Sequence, residues 1–176
     1  EEIHLQNIKI AAYRFLLDCE IKQLPLTFAD LERIAKDRNW LLLSYNEGQD
    51  IIRRYQKSMY AESKDGFAII EDNMVIILYR DDMPTAQKLF VICHEFGHVT
   101  LKHSNCGVLG KSKEETTEIK QEREADKFAE YVTSPPCVLK KCKVQSRIDV
   151  EKLTLLDTHY AATAYETIYS EPKRAE

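Results

Sequence analysis

The fold of this chain is decided by one stretch, LFVICHEFGHVT at residues 89–100, in which two histidines stand four positions apart. Pro84 can occupy the first turn of a helix, and the apolar residues that follow recur at helical spacing. At about 100° per residue, His94 and His98 lie on one face, one turn apart, with Glu95 beside them. The stretch therefore predicts a helix that directs two nitrogen ligands and a carboxylate toward one point.

These side chains have the spacing of the zinc-hydrolase motif H-E-x-x-H, in which two histidines bind the metal and the glutamate acts as general base. Gly97 lies inside the predicted helix, where a glycine costs about 1 kcal/mol relative to alanine. Its presence suggests that another element packs closely there. The competing interpretation is a helix whose two histidines only form hydrogen bonds in a core.

A catalytic zinc ion usually takes three protein ligands, so the chain should supply one more. A metzincin-type site needs glycine at 101 and histidine at 104, and the chain has Leu101 and Ser104, which excludes that class. His103 is five residues beyond His98, about 500° further round the helix. It is therefore predicted to lie at the surface.

A second predicted helix, from Glu114 to about Ser134, offers a better third ligand. Glu122 and Asp126 lie one turn apart on one of its faces. Glu122 is the predicted metal ligand, and Asp126 is predicted to accept the free N–H of a ligand histidine. Glu124 points to the opposite face and is predicted to be a solvated charge, although a different rotation of the helix would exchange its role with that of Glu122.

Several segments together resemble the ImmA/IrrE family of metallopeptidases, over most of residues 27–140. They are DGFAI at 65–69, VIIL at 75–78, LF at 89–90 followed by HEFGH at 94–98, and EREADKFA at 122–129. The resemblance implies that His94, His98 and Glu122 bind zinc and that Glu95 is the base. Where relatives usually have asparagine this chain has Asp126, which puts a carboxylate in place of a neutral partner.

The same resemblance implies a zinc-dependent endopeptidase that cleaves a helix-turn-helix transcriptional repressor of a phage, mobile element or stress regulon. Two other functions stay open. The chain could be a non-catalytic antirepressor that binds its partner and holds a structural metal, or a metallopeptidase with a different protein substrate. Mn²⁺ would suit a similar ligand set. The candidates for stabilising an oxyanion are His159, Tyr160, Tyr79 and Arg123.

Composition agrees with a small globular enzyme in the cytoplasm. The chain has 176 residues and a formal net charge of −4, which disfavours direct nucleic-acid binding. No apolar run approaches membrane length, so no membrane partner is expected. The five cysteines contain no Cys-x-x-Cys pair and are predicted to be free thiols, with Cys137 and Cys142 left open as a second metal or redox pair.

The predicted architecture is one α+β metallopeptidase domain over residues 1–176, with a minimal zincin-like core. It has N-terminal helices at 1–40, a sheet and active-site helices at 40–134, and C-terminal helices at 135–170. A small antiparallel sheet is expected to pack on a helical bundle around the H-E-x-x-H helix. The predicted elements before that helix are helices at 3–20, 27–38 and 50–58, a strand at 40–45, and a hairpin of strands 66–71 and 74–79 turned at 72–73.

An exposed edge strand beside the motif helix could bind an extended substrate segment through main-chain hydrogen bonds. The strand at 75–79 directly precedes the motif helix in the sequence. It is therefore the predicted edge strand.

Overall fold

The computed structural model of the chain describes residues 2–71, 74–103 and 115–170. The helices are α1 (Glu2–Asp18), α2 (Phe28–Asp37), α3 (Gln49–Arg54), α4 (Ser58–Ser63), α5 (Thr85–Thr100), α6 (Glu115–Thr133), α7 (Pro136–Lys141), α8 (Arg147–Thr154) and α9 (Thr158–Ser170). The strands are β1 (Trp40–Ser44), β2 (Gly66–Glu71) and β3 (Met74–Tyr79). The predicted α+β class is confirmed, with the H-E-x-x-H motif on α5.

The three strands form one mixed sheet in the order β1-β3-β2. The predicted hairpin is confirmed, since β2 and β3 are antiparallel with Gly66 opposite Tyr79, while its turn at 72–73 lies outside the described residues. β1 pairs with β3 in parallel, with Trp40 opposite Val75. The prediction of a wholly antiparallel sheet is therefore wrong for β1, because α3, α4 and β2 intervene and carry the chain back to enter β3 in the direction of β1.

β3 is the central strand, so the prediction that 75–79 forms an edge is also wrong. Its side chains alternate between two apolar clusters. Ile77 and Tyr79 belong to the main core with α5, and Ile76 and Leu78 belong to a smaller cluster under α3 and α4. A strand covered on both faces is apolar at consecutive positions. The edges of the described sheet are β1 and β2.

The main core joins the sheet to α1, α5 and α6 through aromatic side chains. The ring of Phe15 in α1 lies 5.8 Å from that of Phe96 in α5 and 5.4 Å from that of Phe128 in α6. Trp40 of β1 contacts Phe96 from the sheet side, with ring centroids 5.2 Å apart. Burying one such ring stabilises the fold by about 1.5–3 kcal/mol, so these contacts hold α5 between the sheet and the other helices.

Local sequence signals set the helix ends. The predicted cap Thr27 is confirmed, since its hydroxyl accepts from the backbone N–H of Asp30 at 3.2 Å and Asp30 accepts from the backbone N–H of Thr27 at 2.9 Å. The single helix predicted at 50–58 is wrong. The chain forms α3 and α4 there instead, because Gln56 adopts a left-handed backbone with φ 54° that ends the first helix.

The four described cysteines have free thiols, as predicted: Cys19 and Cys93 are buried, and Cys137 and Cys142 are exposed. Cys106 lies outside the described residues. Burial raises the pKa of the Cys93 thiol, so this neighbour of His94 packs as a small apolar side chain.

The C-terminal helices α7, α8 and α9 have a separate apolar cluster, which includes Leu139, Val150 and Ile168. None of the helices in the described ranges is both long enough and apolar enough to cross a membrane.

Candidate metal centre

α5 brings His94, Glu95 and His98 together at the floor of a cleft. Their potential ligand atoms all lie within 4.8 Å of one another, and this is the one such group of three or more among the described residues. The Nε2 atoms of His94 and His98 are 3.0 Å apart. Glu95 and His98 are buried, with exposed fractions of 5% and 6%. The predicted spacing on one helical face therefore produces two imidazoles whose Nε2 atoms meet at one point.

α6 places the carboxylate of Glu122 at the same point. Its Oε2 lies 3.4 Å from Nε2 of His94, and its Oε1 lies 3.7 Å from Nε2 of His98. The two helices can approach this closely because Gly97 has no side chain. A Cβ there would lie 3.1 Å from Cδ1 of Phe128 and 3.3 Å from the Cα of Ala125. The close packing predicted from Gly97 is confirmed.

Asp126 lies one turn further along α6 and contacts the other nitrogen of His94. Its Oδ1 is 2.8 Å from Nδ1 of His94, which is therefore the protonated nitrogen when Nε2 is free to bind a cation. The structure thus brings Asp126 to the ring nitrogen that does not face Glu122.

His103 is buried against the site, and its predicted surface position is wrong. Its Nδ1 lies 2.9 Å from Nδ1 of His98, and its Nε2 lies 2.9 Å from Oε2 of Glu124. Glu124 was predicted to be a solvated charge, and this is wrong as well. Its side chain is 14% exposed and also contacts Nε2 of His4 at 2.5 Å.

The position of His103 was wrongly predicted because α5 ends before this residue. Lys102 adopts a left-handed backbone with φ 56°, and the N–H of His103 donates to the carbonyl of His98 at 3.0 Å. With the bond from the Lys102 N–H to the Val99 carbonyl, this is a Schellman turn. The turn reverses the chain, so the helical angle used to place His103 no longer applies, and the side chain folds back under the last turn of α5.

Glu95 lies on the sheet side of the histidines. Burial is the main cause that raises the pKa of its carboxyl to about 7, with a hydrogen bond from the backbone of Ala68 acting in the opposite direction. Ala68 belongs to the edge strand β2, which approaches α5 closely. A Cβ on Gly66 would lie 2.6 Å from Cγ1 of Val91 and 3.5 Å from Cγ of Glu95. Glu95 is thus held between α5 and an open strand edge with a pKa suited to proton transfer near neutrality.

The other groups at the centre have strongly shifted pKa values. Burial lowers the pKa of His94, but its hydrogen bonds with Asp126 and Glu122 prevail and raise it to about 10. Burial and the neighbouring His94 lower the pKa of His98 to about 3. The hydrogen bond with His94 lowers the pKa of Glu122 to about 2. His98 is therefore a neutral imidazole and Glu122 a carboxylate, and a cation that binds here displaces a proton from His94.

The residues present fit a metal ion of the zinc type. Two imidazole nitrogens and a carboxylate oxygen are a donor set of catalytic zinc sites. Ligand atoms at about 2.0–2.1 Å from a tetrahedral ion lie roughly 3.3 Å from one another. The separations of 3.0, 3.4 and 3.7 Å between His94, His98 and Glu122 lie on both sides of that value.

The cleft above these residues has a volume of about 210 Å³. Its walls include several residues that the sequence analysis did not place at the site, namely Tyr60, Lys64, Gly66, Phe67, Ala68, Glu118 and Gln121. The helical pattern of α5 and α6 carries no information on α4 and β2, which together with Lys64 between them supply the first five of these residues. The signal that could have found β2 is the pair Asp65-Gly66, because a glycine at a strand start permits close approach to a helix.

Of the four candidates for an oxyanion donor, Tyr160 is the one whose side chain lines this cleft. It stacks on Phe90 with ring centroids 3.8 Å apart. His159 and Arg123 line a neighbouring groove instead, and Tyr79 belongs to the main core.

A motif helix with two histidines and a glutamate, an acidic helix packed against it and a strand edge along the cleft define the class of H-E-x-x-H metallopeptidases. The family model described as the IrrE N-terminal-like domain, peptidase M78, matches residues 49–170. Since the match covers more than half of the chain, the chain belongs to the ImmA/IrrE family of metallopeptidases, and its substrate is a protein. Comparison with curated proteins found no match, and comparison with solved structures found none either.

Proposed function

We propose that the chain is a zinc-dependent endopeptidase that cleaves a helix-turn-helix transcriptional repressor of a phage, mobile element or stress regulon. His94, His98 and Glu122 are the zinc ligands, and Glu95 is the catalytic base. The observation that carries the proposal is the meeting of three donor groups from two helices within 3.7 Å of one another, beside a buried carboxyl group.

Zinc, when bound, supplies Lewis acidity, which makes a water molecule more acidic and polarises the scissile carbonyl group. The chain supplies the proton transfers. Glu95 takes a proton from the attacking water and later gives it to the leaving amine. The burial that raises the pKa of this carboxyl group favours its protonated form, which is the form that donates to the leaving amine. The Ala68 backbone orients this carboxylate.

Glu122 and Glu95 are given different roles because their surroundings differ. Glu122 contacts both Nε2 atoms and has a pKa of about 2, so it is an anion over the whole working range. Glu95 is buried and has a raised pKa, which suits a group that gains and loses a proton. Asp126 holds His94 by its Nδ1 and keeps the Nε2 of that ring directed at the ligand point.

The substrate chain is proposed to lie along β2. This strand is an edge of the described sheet, and Gly66, Phe67 and Ala68 line the cleft. A substrate segment in extended form can add to such an edge through main-chain hydrogen bonds, which brings its scissile carbonyl over the histidines. Tyr160, whose side chain lines the same cleft, is the proposed hydrogen-bond donor to the oxyanion.

A repressor is the proposed substrate on the strength of the family to which the chain belongs. The chain's net charge of −4 favours contact with the repressor protein over contact with its DNA.

The test is incubation of the zinc-loaded protein with the repressor encoded beside it, with and without chelator. We expect discrete cleavage products that disappear when chelator is added and when Glu95→Gln replaces the unmodified protein. The control variant Glu166→Gln changes an exposed glutamate on α9 and should cleave the repressor normally. The same reaction loaded with Mn²⁺ identifies the better metal. If Glu95→Gln still relieves repression in cells, the chain is a binding-only antirepressor. If the repressor stays intact and another protein is cut, the substrate assignment fails while the chemistry stands.

A further inference from the structure

We propose that His103 and Glu124 form a positioning pair that holds His98 in the tautomer able to bind the metal. The inference rests on the proposed function, because it takes His98 to be a metal ligand. It assigns a role to His103, which was predicted to lie at the surface, and to Glu124, which was predicted to be a solvated charge or an alternative to Glu122.

The geometry is a chain of contacts that runs from the ligand point to α1. Nδ1 of His98 lies 2.9 Å from Nδ1 of His103, whose Nε2 lies 2.9 Å from Oε2 of Glu124. The other oxygen of Glu124 lies 2.5 Å from Nε2 of His4. The two histidine rings are nearly perpendicular, at 74°, with centroids 5.0 Å apart.

The positions of the protons follow from the chemistry of each group. An ionised carboxylate only accepts hydrogen bonds, so the Nε2 of His103 carries the proton that faces Glu124. In the neutral ring, the Nδ1 of His103 is then an acceptor, and the Nδ1 of His98 is the donor. A neutral His98 protonated at Nδ1 has its free electron pair at Nε2, the nitrogen that lies 3.0 Å from Nε2 of His94.

The opposite arrangement would remove a ligand. If His103 donated from Nδ1, a neutral His98 would carry its proton on Nε2, at the point where the metal is proposed to bind. Glu124 prevents this arrangement by taking the Nε2–H of His103. The pair therefore keeps the Nε2 of His98 free of a proton, as Asp126 does for the Nε2 of His94. The difference is that the ring of His103 lies between the carboxylate and His98.

The pair of His103 and Glu124 is more deeply buried than Asp126, which supports His94. The side chains of His103 and Glu124 are 4% and 14% exposed, whereas that of Asp126 is 59% exposed. The Schellman turn at Lys102 fixes the backbone of His103 relative to α5, and His4 closes the far side of Glu124. Water competes little for these hydrogen bonds, so we expect the His98 ring to be held more rigidly than the His94 ring.

The experiment measures zinc affinity by competition with a chromogenic chelator, together with the visible spectrum of the cobalt-substituted protein. We expect His103→Leu to weaken zinc binding by about 10- to 100-fold and to alter the cobalt spectrum. His103→Asn places an amide oxygen near the former Nδ1 position and should recover most of the affinity. Val150→Ala, a core substitution in the separate cluster of α7–α9, is the control for destabilisation and should bind zinc as the unmodified protein does.

Unchanged zinc affinity and an unchanged cobalt spectrum in His103→Leu would overturn the proposal. If the unmodified protein takes up no zinc, the proposed function itself fails. Uptake by the unmodified protein with no effect of His103→Leu removes only the positioning pair.

A second measurement needs no variant. Nuclear magnetic resonance of the zinc-loaded protein with isotope-labelled histidine identifies which ring nitrogens carry protons. We expect a proton on Nδ1 of His98 and on Nε2 of His103. A proton on Nδ1 of His103 with none on Nδ1 of His98 would contradict the proposal, whatever the variants do.

Discussion

Gly97 of α5 packs directly on Phe128 of α6, so closely that a Cβ on the glycine would lie 3.2 Å from the Cβ of the phenylalanine. This contact sets the distance between the helix that carries the histidines and the helix that carries Glu122. A glycine destabilises the helix relative to alanine, but it allows α5 and α6 to pack closely. The geometry of the candidate metal centre thus depends on a glycine, which has no side chain to contact the proposed ligands.

Gly97→Ala tests this dependence. Alanine favours the helix by about 1 kcal/mol, but crowding in a packed core typically costs about 1–3 kcal/mol. The crowding should prevail, because one of the contacts is the Ala125 backbone, which cannot turn aside. We expect chemical denaturation to give a lower free energy of unfolding and zinc titration to give weaker binding. Zinc affinity equal to that of the unmodified protein would mean that the helix spacing is not critical.

The identity of the third ligand is tested by Glu122→Ala. Loss of a ligand should weaken zinc binding by more than the roughly 10- to 100-fold that is typical for loss of a supporting residue. Glu118→Ala is the matched control, because Glu118 lies one turn earlier on α6 and lines the same cleft without contacting the histidines in the structure. Equal affinities of the two variants in a chelator competition would remove Glu122 from the ligand set.

Removal of the metal should lower the thermal stability of the protein. A ligand that binds only the folded state stabilises it by about 2.7 kcal/mol at 100 times its dissociation constant. We therefore expect the melting temperature to fall when chelator is added, and to recover with excess zinc. Glu122→Ala should melt at the same temperature with and without chelator at moderate zinc concentration. A chelator effect of the same size in that variant would indicate zinc bound elsewhere.

Tyr160→Phe tests the proposed oxyanion donor. Removing such a donor costs about 10²- to 10³-fold in kcat, with little change in KM when the group acts mainly in the transition state. Tyr165→Phe on the same helix is the control, since that hydroxyl donates to the Gln145 carbonyl away from the cleft. A rise in KM with unchanged kcat would mean that Tyr160 contributes to substrate binding and not to stabilisation of the oxyanion.

The parts of the site that sequence reasoning could place lie within regular helices. His94 and His98 share a face of α5, and Glu122 and Asp126 share a face of α6, because helical angles repeat reliably over one turn. The prediction for His103 failed because the helix ends at Thr100, three residues before it. The left-handed Lys102 that follows the end is not a glycine or asparagine, the usual signals for such a turn. Glu124 was misplaced because its partners come from other segments.

In the sheet, too, the local pairing could be predicted from the sequence and the long-range pairing could not. The hairpin of β2 and β3 was visible as two apolar runs with turn residues between them, since that pairing is local. The parallel pairing of β1 with β3 joins residues 35 positions apart, as in Trp40 with Val75, and no local pattern records it. The apolar residues at consecutive positions of β3 did hold a clue, because a strand with two apolar faces needs cover on both sides.

The H-E-x-x-H motif, helical periodicity and the family resemblance were therefore enough to predict a candidate metal-binding helix, its acidic partner helix and the class of chemistry. The turn at Lys102, which no glycine or asparagine signals, decided where His103 lies. The packing of distant segments decided which strand borders the cleft and which groups surround Glu124. The physical reason is the sequence separation of the interacting residues. The faces of a helix are set by hydrogen bonds between residues four positions apart. Burial and side-chain hydrogen-bond partners depend on which surfaces of α1, α5, α6 and the sheet pack together.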